Sequence, residues 1–165
     1  MSPEWRGENR VMLEVVDTVS RHTEKRGIWV LDRGGDRGEI LRPLLKRGLH
    51  FLIRLRGDRH LIPGGMEKSV LDLASSCPLL YRERIVREEG TKEKVYFLEF
   101  GFRRVRLPGR LEDLYLVVVK GLGEKPLMPL TNVKITGSRR DLWRMVENYL
   151  VHWRIEENIR FIKQS

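Results

Sequence analysis

The sequence predicts an α/β fold with an inserted antiparallel β-sheet and a long C-terminal helix. Two short apolar runs, at 28–31 and 49–55, flank a segment with helical periodicity. Residues 79–119 mostly alternate between apolar and polar side chains, which is typical of half-buried strands. Residues 138–163 carry apolar side chains at helical spacing behind a capping signal, which predicts one long closing helix.

The first third of the chain predicts alternating helices and strands. Asn9 is a candidate N-cap for a helix over 9–25. Residues 28–31 form a continuous apolar run, as expected for a strand buried on both faces. Residues 36–39 have capping-box spacing, so a second helix should follow before the strand at 49–55. A strand, a helix and a strand in succession imply a parallel pair joined by a right-handed crossover.

The middle of the chain predicts a different arrangement. Turn signals at Gly90, at Pro108-Gly109 and at Gly121 divide the alternating stretch into three or four antiparallel strands. A further strand is expected near 127–135. Ser138-Arg-Arg-Asp141 then has the spacing of a second capping box, which begins the closing helix.

Composition and charge exclude several classes of protein. The chain has 165 residues and 32 Lys and Arg against 23 acids, so its net charge is +9. That sign favours a polyanionic partner such as nucleic acid, although many basic globular proteins bind none. Cys77 is the single cysteine, which excludes an internal disulfide and a paired-cysteine zinc site and favours a cytoplasmic location. The longest apolar run, 114–119, is far too short to span a bilayer.

Five residues near the C-terminus are candidates for a site. Tyr149, His152, Glu156, Arg160 and Lys163 follow one another at steps of three and four, so a continuous helix would align them on one face. A carboxylate flanked by cations suits a metal held beside a phosphate. The alternative interpretation of Glu156 is a solvated i,i+4 pair with Arg160, worth ~0.3–0.5 kcal/mol.

Asp32 is the second acidic candidate. It stands at the carboxyl end of an apolar strand beside two glycines, where ligand sites in open α/β sheets cluster. Its carboxylate is a hard oxygen ligand for a divalent cation. The alternative is a turn aspartate that hydrogen-bonds its own backbone. Asp36 is better explained as a helix cap. A strand-end aspartate together with Glu156 predicts a shared metal site.

Two segments resemble the DDE transposases of bacterial insertion sequences, within the RNase H-like and retroviral-integrase superfamily. Trp29-Val-Leu-Asp32-Arg33-Gly34-Gly-Asp36 is similar to the segment around the second catalytic aspartate of that family. The closing helix resembles the family signature of Tyr, two residues, Arg, three residues, Glu, six residues and Lys. The matching residues are Tyr149, Glu156 and Lys163, with His152 where the family has Arg. Leu130-Thr131-Asn132 before the helix is also similar.

The resemblance implies a partial RNase H-like fold that performs two-metal phosphoryl transfer. Residues 1–57 and 136–165 would form a catalytic domain without its N-terminal strands, and 58–135 a β-rich insertion. Two Mg²⁺ or Mn²⁺ ions, ~4 Å apart, would be held by Asp32 and Glu156, two of three carboxylates. The first aspartate of the family has no match here. We therefore expect the chain alone to be inactive and the 28–32 strand to form an exposed edge.

The resemblance also implies DNA as the partner, as transposon ends and target, and suggests a homodimer in the synaptic complex. Contacts to transposon-end phosphates would come from Tyr149, Arg160 and Lys163, and a weaker one from His152, because a neutral imidazole is a poor phosphate clamp. Basic residues that would follow the DNA backbone, or else lie on a solvated strand face, are Arg54, Arg56, Arg103, Arg104 and Arg106.

Two other functions compete with a transposase that cleaves DNA and transfers strands. One is an inactive truncated remnant that binds DNA or full-length transposase without catalysis. The other is an unrelated basic β-rich binding module, which the match in register across the closing helix disfavours.

Overall fold

The computed structural model describes residues 3–23, 27–31, 38–55, 59–151 and 159–162. In chain order the elements are α1 (Pro3–Thr23), β1 (Ile28–Leu31), α2 (Gly38–Lys46), β2 (His50–Arg54), β3 (His60–Leu61), β4 (Lys68–Ser69), α3 (Val70–Ser76), β5 (Tyr81–Glu89), β6 (Lys92–Val105), β7 (Leu114–Lys120), β8 (Pro129–Thr131), α4 (Arg139–Val151) and β9 (Ile159–Ile162). Among these residues, seven strands form one mixed sheet in the order β5-β6-β7-β8-β2-β1-β9, and β3 pairs with β4 separately.

The parallel pair predicted from the first third of the chain is confirmed. β1 and β2 run parallel, from Ile28 opposite His50 to Leu31 opposite Ile53. α1 begins at Pro3 rather than after Asn9, so the predicted cap at Asn9 is wrong. Proline suits the first turn of a helix, because the amide hydrogen that it lacks has no helical partner there.

The alternation of side chains along the central strands builds two cores, one on each face of the sheet. In β1, Trp29 and Leu31 pack on the face that Leu41 and Leu44 of α2 cover. Ile28 and Val30 pack on the other face, with α4. A strand covered by helices on both faces needs apolar residues at every position, which explains the unbroken apolar run.

The antiparallel strands predicted for the middle of the chain are confirmed, and they extend the same sheet. β5, β6, β7 and β8 pair in succession, each antiparallel to the next. β8 also pairs with β2, with Leu130 opposite Ile53 and Thr131 opposite Leu52. Hydrogen bonds therefore run without a break from the hairpin of β5 and β6 to the parallel pair. The division of the chain at 57/58 and 135/136 stays a prediction.

A short helix, α3, was absent from the predicted elements, although its signal is in the sequence. The side chain of Ser69 accepts a hydrogen bond from the amide of Asp72 at 3.2 Å and caps the helix. Serine followed three residues later by an acidic residue is the spacing used above to begin α4. Val70, Leu73 and Ala74 of α3 are buried.

The predicted single helix over 138–163 is wrong in its last part. α4 ends at Val151, and residues 159–162 form β9, which pairs antiparallel with β1. The Arg87 guanidinium donates to the carbonyl of Leu150, which satisfies one of the last carbonyls of the helix. A buried strand must pair its backbone groups on both sides. β9 supplies that pairing, so the expectation that β1 forms an exposed edge is also wrong.

Candidate active site

The carboxyl ends of β1 and β2 lie side by side at one edge of the fold. Leu31, the last residue of β1, pairs with Ile53. Arg54 follows in β2, partly buried and opposite Pro129 of β8. Arg54 is therefore a predicted site residue that the structure places at the carboxyl end of β2. Asp32, which directly follows Leu31 in the sequence, and Arg56 lie outside the described residues.

The strand β9 begins at the edge where β1 ends, because the two strands are antiparallel. Ile159 pairs with Leu31, and Arg160 pairs with Val30. Glu156 precedes Ile159 by three residues in the sequence. Glu156 lies outside the described residues, as do the predicted DNA contacts His152 and Lys163.

Arg160 does not share a helix with Tyr149. Residue 160 belongs to β9, whereas Tyr149 belongs to α4. The predicted alignment of five residues on one helical face is therefore wrong at Arg160, and so is the helical i,i+4 pair of Glu156 with Arg160. The helical signature in the sequence extends past Val151, but pairing with β1 takes precedence for residues 159–162.

Tyr149 packs in the core beneath α4. Its side chain is 5% exposed and lies in the same apolar cluster as Leu142, Val146 and Phe100. The helical face that carries Tyr149 is therefore the face that packs on the sheet. A role for this side chain at a DNA phosphate stays a prediction.

An ion pair between Asp17 and Arg47 joins α1 to the end of α2. The Arg47 Nε donates to Asp17 Oδ1 at 2.6 Å, and Nη2 donates to Oδ2 at 3.1 Å. The hydrogen bonds from Arg47 hold the pKa of Asp17 below its usual value, and the carboxylate raises the pKa of Arg47. Asp17 therefore has a structural role, because its bidentate pair with Arg47 connects α1 to the residue that follows α2.

The Asp17–Arg47 pair lines a cleft of about 460 Å³ together with Ser20, Arg21 and Leu49. Leu49 directly precedes β2, so the cleft lies near the amino ends of the parallel strands. The strand ends at Leu31 and Arg54 are at the opposite edge. The cleft therefore lies away from the carboxyl ends of β1 and β2.

Two of the three predicted DNA-contact arginines at the end of β6 and directly after it have partners within the protein. Arg103 donates to Ser76 Oγ at 3.1 Å, and Arg106 pairs with Asp113 at 3.2 Å. Arg104 is exposed. These contacts favour Arg104 over the other two as a residue for a DNA phosphate. Within the described ranges, no group of three or more His, Cys, Asp or Glu side chains is placed to hold a metal ion, and no described helix is long and apolar enough to cross a membrane.

Asn132 has a structural role that spacing along the sequence did not predict. Its Oδ1 accepts from the amide of Phe51 at 2.9 Å, and its Nδ2 donates to the carbonyl of Leu49 at 2.7 Å. β8 pairs with β2 only from Leu52 onward. The carboxamide of Asn132 therefore takes the place of a strand beside Phe51 and Leu49. The resemblance of residues 130–132 to the transposases was the signal in the sequence that marked this position.

Comparison with known proteins agrees with the fold and with the sequence segments described above. Residues 2–165 match the family model described as the transposase DDE domain. A search of curated proteins gives no match. The family match spans nearly all of the 165 residues. This chain therefore belongs to the family of transposase DDE domains.

Proposed function

We propose that this chain is part of a transposase that catalyses metal-dependent DNA cleavage and strand transfer, with Asp32 and Glu156 as two of the metal ligands. The observation that carries the proposal is the pairing of Leu31 with Ile159. Asp32 follows the first of these residues directly, and Glu156 precedes the second by three. This pairing supports a shared site for the two acids, which lie far apart in the sequence.

The chemistry of the donor set fits Mg²⁺ or Mn²⁺. Both acids offer carboxylate oxygens, the ligands that hard divalent ions prefer. Asp32 and Glu156 would hold such ions, which would activate a water or a DNA 3′-hydroxyl for attack and neutralise charge on the scissile phosphate. Membership of the transposase DDE domain family supports this assignment.

The remaining residues of the proposed site bind and orient DNA. Arg54 lies one strand away from Leu31 at the same edge, which supports a contact between its guanidinium and a phosphate. We assign further phosphate contacts to Arg56, His152, Arg160 and Lys163. Such contacts set the register of the protein on the duplex and carry no sequence information directly.

Metal binding tests the proposal directly. We expect Asp32→Asn and Glu156→Gln each to weaken Mn²⁺ binding at least about tenfold, because even changes outside the first ligand shell of a metal site cost ~10–100-fold. Isothermal calorimetry of the purified chain measures this. Asp36→Asn is the matched control, since it removes the same charge four residues away and should bind as the wild type does. Unchanged Mn²⁺ binding in Asp32→Asn, with an unchanged melting temperature, would refute the assignment.

DNA binding should depend steeply on salt. The net charge of +9 favours contacts to phosphates, each of which contributes ~0.9 to the slope of log K against log salt. We expect Arg54→Ala to reduce that slope by about one unit. Arg110→Ala is the control. It removes the same charge, but from a loop arginine that is already paired with Glu112. Fluorescence anisotropy with a labelled duplex gives both slopes.

The two measurements together separate the proposed function from the alternative of a remnant that binds DNA without catalysis. Salt-dependent DNA binding combined with Mn²⁺ binding through Asp32 supports the proposal. Salt-dependent DNA binding without any Mn²⁺ binding would favour the alternative.

A further inference from the structure

The strand β5 forms one edge of the seven-stranded sheet. Among the described residues, its nine positions, Tyr81–Glu89, have a hydrogen-bonded neighbour strand on one side only, which is β6. An edge strand presents a row of backbone donors and acceptors to which another strand can pair.

The hydrogen bonds of the neighbouring strands determine which backbone groups of β5 point outward. Val119 of β7 exchanges two backbone hydrogen bonds with Leu127, both at 2.9 Å, so its backbone groups point away from Phe100 in β6. The backbone of Phe100 therefore points towards β5, where it faces Tyr81. Odd-numbered residues of β5 thus bond to β6, and even-numbered residues present their backbone groups on the side away from β6.

Charges along β5 are arranged so that the strand complements a copy of itself. Antiparallel pairing about Ile85 places Arg82 opposite Glu88 of the copy and Glu83 opposite Arg87 of the copy, and each pair occurs twice. This register matches outward residues with outward residues, as antiparallel pairing requires. Centring the pairing on Arg84 would place that arginine opposite itself, and like charges directly opposite are destabilising.

The side chains of Glu83 and Arg139 form what we call the clasp: they bind backbone groups in the first half of this edge. The Arg139 guanidinium donates to the outward carbonyl of Arg82 at 3.2 Å, and Glu83 Oε1 accepts from the outward amide of Arg84 at 3.3 Å. Arg139 and Glu83 also form an ion pair with each other. These contacts occupy two of the backbone groups that a second strand would need.

We propose that the β5 edge is a docking surface for a second copy of this chain, which pairs antiparallel about Ile85 and is held in check by the clasp of Glu83 and Arg139. Arg82 and Glu88 are both exposed. The charged side chains that select the register are therefore accessible before two copies associate. Pairing at this edge requires neither metal binding nor DNA cleavage.

Sedimentation velocity over a range of protein concentrations, at low salt, tests the register. Glu88→Arg places two arginines opposite each other twice per dimer and should weaken dimerisation at least about tenfold. The charge swap Arg82→Glu with Glu88→Arg restores complementarity and should recover dimerisation. Glu67→Arg is the matched control, because it makes the same charge change at an exposed residue beside the separate β3–β4 pair and should leave dimerisation unchanged.

The clasp is tested by Arg139→Ala, which should strengthen dimerisation several-fold, with Arg140→Ala as the control on the same exposed turn of α4. Melting curves establish that each variant is folded. Monomers at every concentration for both the wild type and Arg139→Ala would overturn the proposal. It would also be overturned if Glu88→Arg and Glu67→Arg associated equally, or if the charge swap failed to recover what Glu88→Arg lost.

Discussion

Gly121→Ala is expected to lower the free energy of unfolding by about 3 kcal/mol or more, which would be a large fraction of the stability of a domain this size. Gly121 directly follows β7 and has φ +116°, a backbone conformation that favours glycine. A Cβ at this position would lie 2.2 Å from the carbonyl oxygen of Phe97. Backbone strain and a clash with the backbone of β6 therefore act together.

Two other glycines separate these causes. Gly109 has φ +75° but open space where a Cβ would lie, so Gly109→Ala should cost only the backbone strain, about 1 kcal/mol. Gly123 has neither feature, so Gly123→Ala should change stability by less than about 1 kcal/mol. Urea unfolding measures all three variants through the midpoint, provided that the slope is unchanged. Equal midpoints for Gly121→Ala and Gly109→Ala would show that the close approach to Phe97 is absent.

Asn132→Ala is expected to cost about 2–4 kcal/mol, because it leaves a buried donor and a buried acceptor unpaired at about 1–3 kcal/mol each. These groups are the amide of Phe51 and the carbonyl of Leu49, both in residues that are almost fully buried. Asn148→Ala is the matched control. Asn148 is partly exposed in α4, where alanine is the better helix former, so this variant should be neutral or slightly stabilising.

The isosteric change Asn132→Asp tests whether this side chain must donate one hydrogen bond as well as accept one. A carboxylate still accepts from the amide of Phe51 but repels the carbonyl of Leu49, whereas a protonated carboxyl can donate to that carbonyl. Folding should therefore favour the protonated form, so stability should fall as pH rises through the range in which the carboxyl ionises. Urea midpoints at acid and neutral pH measure this. Equal destabilisation at both values would contradict the proposed geometry.

Local patterns in the sequence were sufficient for much of the fold. The apolar run at 28–31 predicted a buried strand, and the flanking helix and strand predicted its parallel partner. The serine and aspartate at the start of α4 predicted its beginning. These predictions succeed because capping, periodicity and turn preference act between residues that are near one another in the chain.

For the candidate site, the sequence supplied the residue types, and the assembled sheet paired the strands next to them in sequence. An aspartate after an apolar strand and a glutamate in the C-terminal segment were recognisable by their spacing and by their resemblance to transposases. The pairing of Leu31 with Ile159, on which the proposed metal site rests, joins positions that no local pattern connects.

The sequence by itself determined the α/β class, the parallel pair, the antiparallel middle and the family to which the chain belongs. Only the tertiary structure decided that residues 159–162 form a strand rather than the last turn of the predicted helix. Helical spacing continues beyond Val151, but β1 is buried on both faces and must pair its backbone on both sides. Tertiary pairing therefore outweighs local helical preference, and the closing segment completes the sheet beside β1.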